Sequence, residues 1–210
     1  MTTNENVVFR NHSDQQPGIT YRSLPSHCAG AADTIAEARA SYRNELTSRL
    51  NLDRHELPRV IEHVEAKVAG IWVRSKVGAV HRDRLSDRMF LQRVLSAGDV
   101  QDEVRAHLGA ATERGAEPVI VLAEPEDPVG TVLDQMTPDD ALVVTFPDER
   151  RGLAWAAIHG PHSAGFDELP VARFDTGIRE LPIESFAESC IAEHRLRAVR
   201  VEPYVLARAS

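Results

Sequence analysis

His159 and His162 form an H-x-x-H pair within the segment IHGPHSAG. Neutral imidazole is the commonest protein ligand for transition metals. Cys190 and His194, spaced C-x-x-x-H, would complete a four-ligand set for a divalent metal. Such a centre would serve a metal-dependent hydrolase or nuclease. The pair sits in a Gly/Pro-rich stretch that reads as a loop, and no H-E-x-x-H pattern accompanies it. A second source of ligands is acidic. Glu124, Glu126 and Asp127 follow the apolar run Pro118–Ala123, and Asp148-Glu149 follow Ala141–Phe146. Open α/β sheets bind ligands beyond the carboxyl ends of their strands. If these runs are neighbouring parallel strands, the carboxylates would converge and could hold a cation.

Other combinations carry less chemistry. His27 precedes Cys28, but adjacent residues on a strand point to opposite faces, so Cys28 reads as a small buried hydrophobe. His81-Arg82-Asp83 echoes the kinase catalytic loop, without its glycine loop, its asparagine or an Asp-Phe-Gly segment. Neither a Walker loop nor G-x-G-x-x-G occurs, which argues against a nucleotide enzyme of standard type. Arg74, Lys76, Arg82, Arg84, Arg88 and Arg93 form a locally basic stretch that could meet phosphates. Asp83 and Asp87 lie at helical spacing from several of these arginines, which favours a solvated, ion-paired helix face. Trp72 and Trp155 lack basic interleaving and read as core anchors rather than base-stacking platforms.

These residues need a scaffold. At 210 residues the chain can bury a sizeable core without staples. Its 42% hydrophobic and 27% charged residues exclude a disordered, collagenous or coiled-coil chain. Two cysteines cannot make a disulfide framework. The start MTTNENVVFRNHSDQQ has neither the basic region nor the apolar run of a signal peptide, and no apolar stretch is long enough for a membrane helix. A cytoplasmic protein with no membrane contact is the expectation. Of the 24 Lys and Arg residues only Lys67 and Lys76 are lysine, a bias typical of a GC-rich, bacterial genome. Charge is uneven. Residues 1–115 hold 16 basic and 15 acidic side chains, residues 116–210 hold 8 and 17. An acidic half repels nucleic acid and suits a basic protein partner.

The pattern of elements is mixed. Asn6–Arg10 and Ile19–Leu24 read as strands, and Cys28–Ala32 as a third short strand or loop. Thr34-Ile35-Ala36-Glu37 is a capping box, opening a helix to about Leu50 with Asn51 as its C-cap. Val60–Val68 fits strand or helix, and IWVRSKV from Ile71 favours strand. Arg84–Leu95 and Val100–Arg114 read as helices, the latter capped by Asp99 and stopped by Gly115. Pro118–Ala123, a short helix from Pro128, and Ala141–Phe146 make a βαβ unit. Gly152–Ile158 is strand or helix, Pro182–His194 a helix, and Leu196–Leu206 a closing strand.

Tyr21, Leu24-Pro25, Cys28-Ala29-Gly30, Asp33-Thr34 and Glu37-Ala38 occur in order over residues 6–50. This arrangement resembles the HicB-like antitoxin domain, whose aromatic strand ends in Leu-Pro and leads through small residues to Gly-Asp-Thr and a helix. The resemblance implies a degenerate ribonuclease-H-type fold without an acidic catalytic centre. It also implies protein binding, namely blocking a small basic RNA-cleaving toxin. The helix-turn-helix or ribbon-helix-helix segment that usually ends such proteins has no counterpart here.

The sequence therefore predicts an α/β (mixed α+β) chain. A HicB-like β-β-β-α domain at 1–56 is followed by a strand and helical extension at 57–115 and an acidic α/β domain at 116–210. The leading function is a non-catalytic binding or regulatory protein, an antitoxin-like inhibitor of a small basic protein, with self-association allowed and no cofactor required. The first alternative is the metal-dependent hydrolase or nuclease on His159, His162, Cys190 and His194 or on the acidic clusters. The second is nucleic-acid binding through Arg74–Arg93.

Overall fold

The computed structural model describes residues 4–12, 17–51, 57–68, 71–77, 98–148, 153–163, 168–194 and 197–202. Its fold is mixed α/β. Among the described residues, ten strands share one sheet in the order β3-β2-β1-β4-β5-β6-β7-β8-β10-β9. The strands are β1 (Glu5–Asn11), β2 (Ile19–Leu24), β3 (Ala29–Ala32), β4 (Val60–Val68), β5 (Ile71–Lys76), β6 (Pro118–Leu122), β7 (Ala141–Phe146), β8 (Ala154–His159), β9 (Val171–Ala172) and β10 (Ala198–Val201). The helices are α1 (Ile35–Leu50), α2 (Gly98–Glu113), α3 (Val129–Leu133), α4 (Thr176–Arg179) and α5 (Ile183–His194). The expected boundaries near residues 56 and 115 fall between hydrogen-bonded neighbours. β1 pairs in parallel with β4, and β5 in parallel with β6. The three segments thus contribute to a single sheet.

Local chemistry explains the first elements. Thr34 accepts from the Glu37 amide at 3.2 Å and Glu37 accepts from the Thr34 amide at 3.1 Å, so the capping box forms as written in the sequence. Asn51 ends α1 in the left-handed region at φ 49°, and Gly115 follows α2 at φ 83°. Asp99 lies inside α2 rather than before it. Val60–Val68 resolves to strand, because β1 and β5 flank it on either side. Residues 154–159 likewise form a strand, against β7 and β10. The βαβ unit is β6-α3-β7, with β6 and β7 adjacent and parallel. The helix expected at Arg84–Leu95 lies outside the described residues.

The register gives the sheet two continuous faces. On one face α1 packs Ala38, Tyr42 and Leu46 onto Val7, Phe9 and Tyr21. Farther along that face α2 packs Val104 and Leu108 onto Val73, Ile120, Val143 and Trp155. The opposite face is apolar only in its second half, where α3 and α5 bury Val119, Val121, Leu142, Val144, Ala156 and Ile158. Its first half carries Asn6, Val8 and Arg10 on β1, Arg22 on β2, His63 and Glu65 on β4, and Arg74 on β5. Polar side chains on a sheet face need partners when they are buried. The connection from α3 to β7 supplies some of them.

Candidate functional site

The polar half-face is organised by ion pairs. Glu65 and Arg74 are both fully buried. Arg74 donates from Nε to Glu65 Oε1 at 2.7 Å, with Nη2 2.6 Å from the same oxygen. Arg10 Nε donates to Glu65 Oε2 at 2.5 Å. Arg22 donates to Asp140 at 3.0 Å and to the Gln135 carbonyl at 3.1 Å. Arg74 Nη2 lies 3.6 Å from Asp140, and the Thr137 amide also donates to that carboxylate, at 3.1 Å. Burial alone would raise the Glu65 carboxyl, but Arg74, Arg10 and Arg22 outweigh it and hold it below the usual carboxylate range. Asp140 is lowered likewise, with Arg22 and Arg74 overcoming its burial. His63 is pushed down to about 3 by burial, then by Arg74, Lys76 and Arg22, so it stays neutral. This network ties β1, β2, β4 and β5 to the α3–β7 connection.

The basic stretch offered as an alternative phosphate-binding site is divided by this arrangement. Arg74 is enclosed with Glu65 and cannot reach a ligand in solvent, which removes it from a nucleic-acid surface. Lys76 is partly exposed, 4.0 Å from Asp127. Arg82, Arg84 and Arg88 lie outside the described residues, as does His81-Arg82-Asp83.

Of the four candidate metal ligands, His159 and Cys190 lie on opposite faces of the sheet. His159 ends β8 rather than sitting in a loop, and it shares a face with Trp155 and Ala157 over α2. Its Nε2 lies 3.0 Å from His107 Nε2 on α2, and its Nδ1 lies 3.4 Å from the Ser163 hydroxyl. Burial, then His107 and Arg114, lower His159 to about 3. Cys190 packs from α5 into the core on the opposite face, where burial and then Glu193 raise its thiol to about 11. The sheet therefore stands between His159 and Cys190. His162 is exposed, and the side chain of His194 lies outside the described residues. Among the described residues no group of three or more His, Cys, Asp or Glu side chains is placed to hold a metal.

The acidic clusters do follow neighbouring parallel strands. Asp127, however, accepts from the Glu124 amide at 3.2 Å and faces Lys76. Glu126 is exposed and Asp148 half-buried, while Glu149 lies outside the described residues. Cys28 is fully buried and bonds through Ser26 and Ser23, whereas His27 is exposed at φ 54°. Trp72 and Trp155 are buried, under Arg10 and Arg197 respectively.

Sequence reasoning did not identify the Glu65–Arg74 pair or the His107–His159 contact. The signal for the first was charge inside apolar strands, in VIEHVEAKV and IWVRSKV. The second joins residues 52 apart and has no local signature.

The remaining feature is the edge that β3 forms among the described strands. Ser23 N–H donates to the Cys28 carbonyl at 2.9 Å, which fixes the phase of the antiparallel β2–β3 ladder. Bonding alternates along such a ladder. Gly30 and Ala32 therefore turn their backbone groups to β2, while Ala29 and Ala31 turn theirs outward. The strand AGAA holds neither charge nor proline, and Ala29 and Ala31 are exposed. Natural edges are usually blunted by such residues. At the other edge, β9 has only two residues. Gly30 is required by its neighbour across the ladder, since a Cβ there would lie 2.5 Å from the Tyr21 hydroxyl.

No helix of the described residues is long and apolar enough to cross a membrane. No protein-family model matches the chain, and comparison with curated proteins and with solved structures found no significant match.

Proposed function

We propose that the chain is a non-catalytic bacterial regulatory protein of the cytoplasm, which binds a small basic protein by taking one of its strands onto β3. The single observation that carries this reading is the unblunted β3 edge, with the backbone groups of Ala29 and Ala31 directed outward. Strand addition at such an edge is a recurrent mode of peptide recognition. Two further features support it. Glu5–Leu50 runs β-β-β-α, the order that the HicB-like resemblance implies for an inhibitor of a basic toxin. Asp33 and Glu37 are exposed just beyond β3, giving the edge an acidic rim.

The test is a variant that spoils only the edge. Proline at position 31 removes an outward N–H and leaves the β2 ladder bonds in place. Tagged wild-type and A31P proteins would be used to capture partners from the host, and captured proteins weighed by mass spectrometry. The expected result is one small basic protein in stoichiometric amount with the wild type and at least tenfold less with A31P. Circular dichroism should be unchanged between the two. Absence of a stoichiometric partner, or equal capture by both, overturns the reading.

A further inference from the structure

His107 and His159 meet head to head between α2 and β8. Their Nε2 atoms lie 3.0 Å apart and their ring centroids 5.1 Å apart. Two neutral imidazoles share such a contact only if one ring donates and the other accepts. His159 Nδ1 lies 3.4 Å from the Ser163 hydroxyl. An oxygen there suits a proton on Nδ1, which leaves Nε2 of His159 as a lone pair. His107 then donates from Nε2. Moving that proton to its own Nδ1 is an exchange between neutral tautomers, and it directs a second lone pair at the gap between the rings. Burial, then Arg114, lowers His107, and His159 is lowered as well, so both rings stay neutral, as a metal ligand must be.

We propose that His107 and His159 form a two-nitrogen site for a divalent transition metal of the zinc kind, which clips α2 to β8. Spacing supports the site. Two imidazole nitrogens at about 2.0–2.1 Å from a tetrahedral zinc stand roughly 3.3 Å apart, so the pair has to open by only about 0.3 Å. The supports are rigid, since His159 is fully buried at the end of β8 and His107 lies within the 16-residue α2. The Ser163 hydroxyl stands where metal-bound histidines keep the outer partner that fixes ring and tautomer. His107 is only half-buried, so its ring can swing out to admit the metal, and water completes the coordination. Donor type sets the class of metal. Magnesium and calcium take oxygen ligands, whereas imidazole suits zinc and its neighbours. Arg114 acts on both rings and opposes any cation held by field alone, so the affinity comes from the nitrogen–metal bonds. The site shares only His159 with the ligand set expected from the sequence, and it does not depend on edge docking.

The test is titration of the full, metal-free chain with Zn2+ alone. The expected result is one saturable equivalent, with a Tm that rises with Zn2+ concentration. His107→Gln keeps a neutral hydrogen-bonding side chain beside His159 but removes the imidazole. Its circular dichroism should match wild type, while Zn2+ should bind at least about tenfold more weakly, the size of even an outer-partner loss. Nitrogen NMR of the wild-type histidines decides the matter without a variant. Of the nine histidines, His107 and His159 should be the two whose Nε2 resonances move on binding and whose protons end on Nδ1. Absence of saturable binding overturns the site. So does equal binding by wild type and His107→Gln, or NMR shifts that fall on other histidines, since each leaves the contact as a hydrogen bond only.

Discussion

Replacing Glu65 by alanine should unfold this protein more readily than any surface charge change. Glu65 and Arg74 are both fully buried, and Arg10 shares the same carboxylate. Removing the carboxylate leaves the Arg74 guanidinium in a low-dielectric site with Asp140 at 3.6 Å and the Gln135 carbonyl at 3.4 Å. Breaking a buried pair in this way costs about 3–5 kcal/mol. A domain is stable by only about 5–15 kcal/mol, so a large fraction would be lost. For a chain of this length, Tm should fall by roughly 6–20 °C. The control is Glu65→Leu with Arg74→Leu. Replacing both partners by apolar groups of similar volume is often neutral or stabilising, so the double change should recover most of the loss. By contrast Arg49→Ala, which breaks the exposed pair with Glu45, should cost no more than about 1 kcal/mol. The assay is urea unfolding followed by tryptophan fluorescence, to which Trp72 beside Arg10 contributes. A loss below about 1 kcal/mol for Glu65→Ala would refute the argument, since that is the size of a surface pair. So would a double variant no more stable than the single one.

Acid should weaken the fold before the carboxylates titrate. His63 and His159 are held neutral at about 3, against about 6.5 when unfolded. The unfolded chain takes up these protons first, so stability is complete above about pH 6.5 and falls as pH drops toward 3. The expected loss at pH 5 is on the order of 2 kcal/mol per histidine. Glu65 and Asp140, also lowered, add to the loss below about pH 4. A urea midpoint that is flat from pH 7.5 to 5 would contradict both histidine assignments. Thr34→Ala should cost about 1 kcal/mol by removing the acceptor for the Glu37 amide, read as a lower Tm with unchanged spectra. Gly160→Ala should be destabilising by about 1–3 kcal/mol, because a Cβ there would lie 2.2 Å from the Pro138 carbonyl oxygen. A Tm equal to wild type would show that the 137–140 segment moves aside without cost.

Local chemistry made much of the framework legible. The capping box needs only residues 34–37, and it forms. Period-2 alternation in ITYRSL and unbroken apolar runs in PVIVL and ALVVTF specify strands with one or two covered faces. The adjacency of β6 and β7 follows from a short crossover helix. The order of strand and helix patterns also sufficed for the mixed α/β class.

What the sequence could not determine was which distant groups meet. Arg74 counted as one of six cations in a row, but its charge is consumed by Glu65 nine residues away in a neighbouring strand. Sequence proximity groups His159 with His162, while the sheet turns it toward His107 and away from Cys190. Both periods fit Val60–Val68 in sequence, and its neighbours β1 and β5 make it a strand. The physical reason is the same in each case. Caps, turns and periodicity act over a few residues, whereas pairing of charges, the side of a sheet and the phase of a ladder depend on strand order. Among the described strands, their order leaves β3 at an edge, and the phase of the β2–β3 ladder turns Ala29 and Ala31 outward.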